Sequence, residues 1–304
     1  MVNIAVMGCG NIAHRVAKGI QFCTDCNLVG FASNSLEKAK EYAQQYGAEI
    51  YGDYDRILND KSVDAVYICT YNQSHYDLIK TSLKHGKHVI CEKPMLADTD
   101  ELNELFDLAE SKGLVLMEAL KSVFLPVNVK IKEMIDNGEI GEVKYITASF
   151  SRNEFDRSPQ WTKDEKYGGV LKDLGTYCVG TMNYFMGKKP NSSVIEKSEV
   201  PVTFAHGLLD YGTAQGYFQV SNTMDGENAL KIYGDKGQIV EKDFWKSSYA
   251  VCSKEDTINP INCQMLSDFY YEVKHFVNLI ENGAKGSDVM SRQASLDIMS
   301  VTLK

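Results

Sequence analysis

Ile4-Ala5-Val6-Met7-Gly8-Cys9-Gly10-Asn11-Ile12-Ala13 opens this chain with an apolar run that breaks at two glycines and resumes as a helix. Ile12, Val16 and Ile20 stand four apart and predict the apolar stripe of that helix. Glycines permit a tight strand-to-helix turn and let backbone approach an anion closely. The helix start then offers unpaired N–H groups and the positive end of its dipole to a diphosphate. Ala13 takes the third motif position and still allows close helix–strand packing. A lone GxGxxG is a weak signal, and a purely structural turn is the alternative. Placement directly behind a strand and at the head of a helix favours a dinucleotide site, with Gly8, Gly10, Asn11 and Ile12 as contacts.

The same alternation continues outward from this turn. Residues 28–32 read as a second strand, and Ser35 caps a helix that points Leu36, Ala39, Ala43 and Tyr46 inward. Residues 63–69, 88–91 and 114–117 read as further buried strands. The helices between them carry Leu78, Ile79 and Leu83, then Leu102, Leu105, Phe106 and Ala109. Parallel strands need crossover helices, so this alternation predicts a doubly wound parallel sheet over residues 1–120. After residue 120 the texture changes. A helix over 127–135 closes at Asn137-Gly138, and strand-like runs follow at 143–151, 202–209, 214–221, 229–233 and 238–241. Strands in succession without helices favour an antiparallel sheet. Two helices end the chain, the first with Phe269, Val273, Phe276, Val277 and Ile280 on one stripe. The expected class is α/β, with domains at 1–120 and 121–304.

Bulk properties narrow the function. A length of 304 residues suits two domains, and 44% hydrophobic with 24% charged residues is the composition of a water-soluble globular chain. A net charge of −9 argues against nucleic acid, whose phosphates demand a basic surface. No apolar run approaches a membrane span, and no basic leader with a cleavage site precedes the first strand. The eight cysteines follow no framework and predict reduced thiols in a cytoplasmic protein. Cys23 and Cys26 form a CxxC, but no thioredoxin-like context or second ligand pair accompanies them, so no metal site is expected.

In open parallel sheets ligands bind beyond the carboxyl ends of strands, so the residues there are the candidates. After the second strand come Ser33 and Asn34, with Lys38 a turn later. An NAD-selective site usually has a carboxylate here; hydroxyl, amide and ammonium groups suit a 2′-phosphate, favouring NADP with NAD possible. Ser33 and Asn34 also read as simple helix caps. Thr70 and Asn72 follow the third strand, and His75 reads equally as a helix-start residue or a ligand contact. Glu92-Lys93-Pro94 ends the next strand, where the alternative is a surface charge pair and the X-Pro bond admits a cis form. In Gly168–Tyr177 a helix starting near Asp173 would put Asp173 and Tyr177 on one face, with Leu174, Cys178, Met182 and Phe185 buried opposite.

Taken together, Gly8–Ala13, Glu92-Lys93-Pro94 and the GGxLxDxGxY run from Gly168 to Tyr177 resemble the glucose–fructose oxidoreductase / inositol dehydrogenase (Gfo/Idh/MocA) family. Met117-Glu118-Ala119 and the turn at 138–142 are similar to its dihydrodiol dehydrogenase branch. The resemblance spans nearly the whole chain. It implies an N-terminal Rossmann domain and a C-terminal α/β domain whose open, largely antiparallel sheet commonly forms the subunit interface of a homodimer or homotetramer. It implies a nicotinamide enzyme acting on a sugar, polyol or diol. Glu92 and Lys93 would meet the cofactor, and Lys93 matches the family's active-site lysine. Asp173 matches its substrate-side aspartate. Tyr177 stands where relatives place a catalytic histidine or tyrosine, siding with the sugar oxidoreductase and dihydrodiol branches.

Hydride transfer leaves the protein to handle a proton. A free phenol has a pKa of about 10, and a neighbouring ammonium lowers it. Tyr177 is therefore expected to transfer the proton, with Lys93 supplying the field and Asp173 orienting both. Arg152, Arg157 and Trp161 could contact the substrate. A non-catalytic dinucleotide-binding sensor is the rival reading, disfavoured because Lys93, Asp173 and Tyr177 are all present. The chain stops at Thr302-Leu303-Lys304, inside what reads as its last helix, whereas relatives usually run somewhat further.

Overall fold

Strand β1 (Val2–Met7) buries Ile4, Ala5, Val6 and Met7 almost completely, as a central strand covered on both faces must. In this computed structural model, which describes all 304 residues, β1 pairs in parallel with β2 (Cys26–Ala32) on one side and β4 (Ala65–Ile68) on the other. With β3 (Ile50–Gly52), β5 (His88–Glu92) and β6 (Leu116–Ala119) the sheet order is β3-β2-β1-β4-β5-β6. That is the doubly wound order, and the winding reverses between β1 and β4.

The crossovers are α1 (Asn11–Phe22), α2 (Leu36–Tyr46), α3 (Tyr54–Leu58), α4 (His75–Lys84) and α5 (Thr99–Ser111). On α5 all four expected residues, Leu102, Leu105, Phe106 and Ala109, are buried. Two inward assignments fail: Ile12 is 38% exposed and Leu36 is 61% exposed, although Ala13 and Ala39 in the same first turns are buried. Ala13, Val16, Ala17 and Ile20 carry the α1 stripe instead, and Tyr42 joins Ala39 and Ala43 on α2.

The first compact unit is Met1–Leu120 together with Leu266–Gln293, and the second is Lys121–Met265 with Ala294–Lys304. The expected 121–304 domain is therefore interrupted. Helix α9 (Tyr270–Glu281) belongs to the first unit, where it packs on α1 and β1. Gly19 makes this possible: a Cβ there would lie 2.8 Å from that of Phe269. Arg15 pairs with Asp268 and stacks over Phe269, and the N-terminal amine pairs with Glu281 at 3.2 Å.

The second unit holds α6 (Pro126–Asp136), β7 (Val143–Ser151), α7 (Val170–Asp173), α8 (Gly175–Met186) and β8 (Ser192–Lys197). Then come β9 (Phe204–Asp210), β10 (Gln215–Ser221), β11 (Ala229–Gly234), β12 (Gln238–Lys242), β13 (Tyr249–Lys254) and β14 (Thr257–Asn262), and most of α10 (Arg292–Thr302). Its sheet runs β14-β13-β12-β11-β7-β10-β9-β8, antiparallel throughout except for the parallel pair β7/β10. Helix α8 covers one face and is buried nearly all round. No helix is long and apolar enough to cross a membrane.

Candidate active site

Gly8 ends β1 with φ 106°, a conformation that side chains resist. A Cβ there would lie 2.9 Å from the backbone carbonyl carbon and oxygen of Cys69. At Gly10 a Cβ would meet nothing within 4 Å, so the backbone faces open space at the head of α1. No acidic residue sits in the first turn of α1 to compete for its N–H groups. The turn is braced from behind: the Tyr42 hydroxyl donates to the Gly10 carbonyl at 3.1 Å while its ring stacks on His14 at 4.4 Å. His14 also hydrogen-bonds the Tyr46 hydroxyl at 2.7 Å.

A cavity of about 440 Å³ opens at this turn, lined by Gly8, Gly10, Ser33, Asn34, Lys38 and Thr70 among others. These residues fit a bound dinucleotide: bare backbone for the diphosphate and a cation with polar groups beyond β2. Ser35 caps α2 by accepting from the Lys38 N–H at 3.3 Å, and its own N–H donates to the Ser33 hydroxyl at 3.2 Å. Asp77 contributes a carboxylate from α4, on the opposite side from Lys38's helix. Cys9 also lines the cavity; burial pushes its thiol up to about 11, so it stays neutral there at physiological pH.

The remaining first-unit candidates divide. Thr70 lines the cavity and shares a 2.8 Å hydrogen bond with Ser74. Asn72 is buried at 6% exposure, outside the lining. His75 is 1% exposed, with Nδ1 3.0 Å from the Met95 carbonyl and Nε2 3.1 Å from that of Thr70. Burial pushes its pKa down. This histidine ties two loops together and lies outside the cavity lining. Asn11 and Ile12 form the first turn of α1 without lining the cavity.

Glu92 and Lys93 close β5, and the Lys93–Pro94 bond is cis. Glu118, 4% exposed, accepts from the Met95 N–H at 2.9 Å and pins this loop to β6. Behind Glu92 lies an arrangement the sequence did not suggest. The fully buried Tyr67 hydroxyl is 2.9 Å from Glu92 Oε1 and 2.9 Å from Glu272 Oε1 of α9. Burial, reinforced by Glu272 and Glu92, holds the phenol's pKa well above its ordinary value. A phenol has one hydrogen, so Tyr67 bridges the two carboxyl groups by sharing it between them. Cys23 and Cys26, both buried thiols, bracket the end of α1; a hydrogen bond from Cys26 lowers Cys23 to about 7.

In the second unit, Asp173 ends α7 and Tyr177 lies in the first turn of α8, with Leu174 in helical geometry between them. The expected inward residues Leu174, Cys178, Met182 and Phe185 are buried. Tyr177, however, is only 8% exposed, because this helix has neighbours on several sides. Its ring lies 5.9 Å from that of Phe150, which stacks on Trp245 at 3.6 Å. The Arg152 guanidinium covers that stack, 4.6 Å from the Phe150 ring, while Arg157 donates to the Asn153 carbonyl. Lys121, unread in the sequence, is 3% exposed with its ammonium 5.9 Å from the Tyr177 ring.

A profile described as an oxidoreductase family with an NAD-binding Rossmann fold (GFO/IDH/MocA) matches residues 2–120, and the GFO/IDH/MocA C-terminal domain matches residues 128–240. The chain is 30% identical over 291 residues to a trans-1,2-dihydrobenzene-1,2-diol dehydrogenase of Xenopus tropicalis, covering 91% of this chain and 88% of that one. In three dimensions it is similar to an aldose-aldose oxidoreductase of Caulobacter crescentus (TM-score 0.90, 22% identity, 99% and 95% covered). It is also similar to a 3-ketoreductase of Actinomadura kijaniata solved with NADP and TDP-benzene (TM-score 0.87, 22% identity, 99% and 95% covered).

Proposed function

The chain belongs to the GFO/IDH/MocA family of NAD-binding oxidoreductases, and from that premise we propose an NADP(H)-preferring enzyme acting on a secondary alcohol or carbonyl of a sugar, polyol or diol. The likeness to dihydrodiol dehydrogenase over 91% of the chain carries the reading. The NADP complex of the ketoreductase relative accords with it. Preference for the 2′-phosphate rests on Lys38, Ser33 and Asn34, which line the cavity with no carboxylate on the β2–α2 side.

When bound, the nicotinamide supplies or accepts the hydride. The protein's part is the proton. We assign Tyr177 as the group that gives or takes it, Lys93 as the cation that favours its ionised form, and Asp173 as the residue orienting the reacting hydroxyl. Gly8 and Gly10 hold the diphosphate against the α1 N–H groups.

The uncovered face of the second unit's sheet is proposed as the contact between copies in a homodimer or homotetramer. One row crosses all eight strands in register: Val194, Leu208, Tyr217, Thr147, Lys231, Val240, Val251 and Pro260. Val194 at 65% and Leu208 at 56% exposure are costly to leave in water. The eight free thiols accord with a reducing, cytoplasmic setting.

Nicotinamide absorbance followed with NAD and NADP against a panel of polyols, aldoses and diols tests the reading. Turnover favouring NADP is expected, with Lys38→Ala raising KM for NADP while sparing NAD. Tyr177→Phe and Lys93→Met should each lower kcat by about 10²–10⁴-fold. Near-wild-type turnover in both variants would sink the assignment of the proton to Tyr177.

A further inference from the structure

Lys121 stands in the 3₁₀ turn Lys121–Phe124 that follows β6, and its side chain runs inward. An ammonium at 3% exposure has given up most of its hydration, which is costly unless the interior puts the charge to use. Its Nζ donates to the Trp245 carbonyl at 2.5 Å and lies 5.9 Å from the Tyr177 ring.

The turn that carries it is tied down on three sides. The Ser122 and Thr181 hydroxyls hydrogen-bond at 2.8 Å, joining the turn to α8. Asn128 of α6 donates to the carbonyl of Ser122 at 2.8 Å and to that of Phe244 at 3.1 Å. Lys121 and Asn128 thus hold neighbouring carbonyls of the β12–β13 connection. The Phe150–Trp245 stack beside Tyr177 keeps water out, so a charge acts there at a low effective dielectric.

We propose that Lys121 is a positioning residue for proton transfer, its fixed ammonium stabilising the phenolate of Tyr177 from within the same domain. This rests on the assignment of Tyr177 as the proton-transfer group. In alcohol oxidation the Tyr177 phenolate oxygen would take the substrate hydroxyl proton while a bound nicotinamide would accept the C–H hydride, and the new phenol would then return its proton to solvent. Lys121 exchanges nothing; it lowers the cost of the negative oxygen before and after the transfer. Charged groups on the surrounding elements include Lys172 and Asp173 on α7, the latter opposing this effect, Arg152 and its partner Glu154 beyond β7, Asp243 and Lys246 in the β12–β13 connection, and Glu241 on β12, whose carboxyl pKa is pushed well above the usual range by burial. Lys121 is buried, whereas the Arg152 side chain is 42% exposed to water and screening.

The test is a spectrophotometric tyrosinate titration of the intact protein, with no substrate required. Subtracting the curve of Tyr177→Phe from wild type isolates the ionisation of Tyr177. A wild-type midpoint below the free-phenol value of about 10 is expected. Lys121→Gln, which keeps a donor for the Trp245 carbonyl but removes the charge, should raise the midpoint by about one to two pH units. Lys121→Arg should restore it, and NADP affinity should stay unchanged in both. A wild-type midpoint at or above the free value overturns the proposal without any Lys121 variant, should Lys121→Gln not fold. A folded Lys121→Gln with an unmoved midpoint overturns it as well. Full turnover by Tyr177→Phe instead removes the proton-transfer reading beneath it, and the titration tells the two failures apart. Repeating the titration in Lys93→Met separates the contribution of that lysine.

Discussion

A single carbon atom decides whether the glycine turn after β1 can exist. Gly8→Ala would thrust a Cβ to 2.9 Å from the Cys69 carbonyl in a backbone conformation hostile to side chains. A loss of roughly 1–3 kcal/mol of stability and of NADP binding is expected, read by thermal denaturation and cofactor titration. Histidines set a second residue-level expectation. Burial pushes the pKa of His75, of His88 and of His275 downward. Each ring therefore holds a proton more weakly folded than unfolded. Their stability contribution is complete above the unfolded value of about 6.5 and is lost as pH falls through the lower folded values. Denaturant midpoints should fall from neutral to mildly acidic solution, and His75→Gln should shrink that fall.

At the scale of elements, α2 joins a side-chain cap to the 2′-phosphate contact proposed for Lys38. Ser35→Ala removes its N-cap and should cost about 1 kcal/mol, visible in a denaturant midpoint. Because Lys38 lies one turn along, the same change should weaken NADP binding more than NAD binding. Elements with strong apolar periodicity were legible from residue order alone: β1, α5 and β7 carry their own signals. The misses have a physical pattern. β3 is only three residues long, while β8 and β14 expose most of their residues and so show no apolar run. That the glycine turn, Ser33, Asn34 and Lys38 border one cavity was readable because strand-end positions in a parallel sheet follow from the strands. Lys121, the Tyr42–His14 brace and Glu272 were not. Each acquires its meaning from a partner far along the chain, and no local pattern distinguishes a buried lysine from an exposed one.

Across the whole molecule, the uncovered sheet face makes assembly testable. Leu208→Glu places a charge mid-row on that face and should convert the assembly to monomers in sedimentation velocity while leaving the fold intact, since Leu208 is already 56% exposed. An unchanged sedimentation coefficient would remove the sheet from the interface. Helix α9 carries the remaining consequence. The core of the first unit is complete only when Phe269 reaches Gly19 and Glu272 reaches Tyr67, and both come from the returning segment Leu266–Gln293. A ribosome delivers the whole of Lys121–Met265 before that segment appears. The nascent sheet must wait through that interval with α1 uncovered, so the nucleotide-binding half, though first to be made, is among the last to be finished.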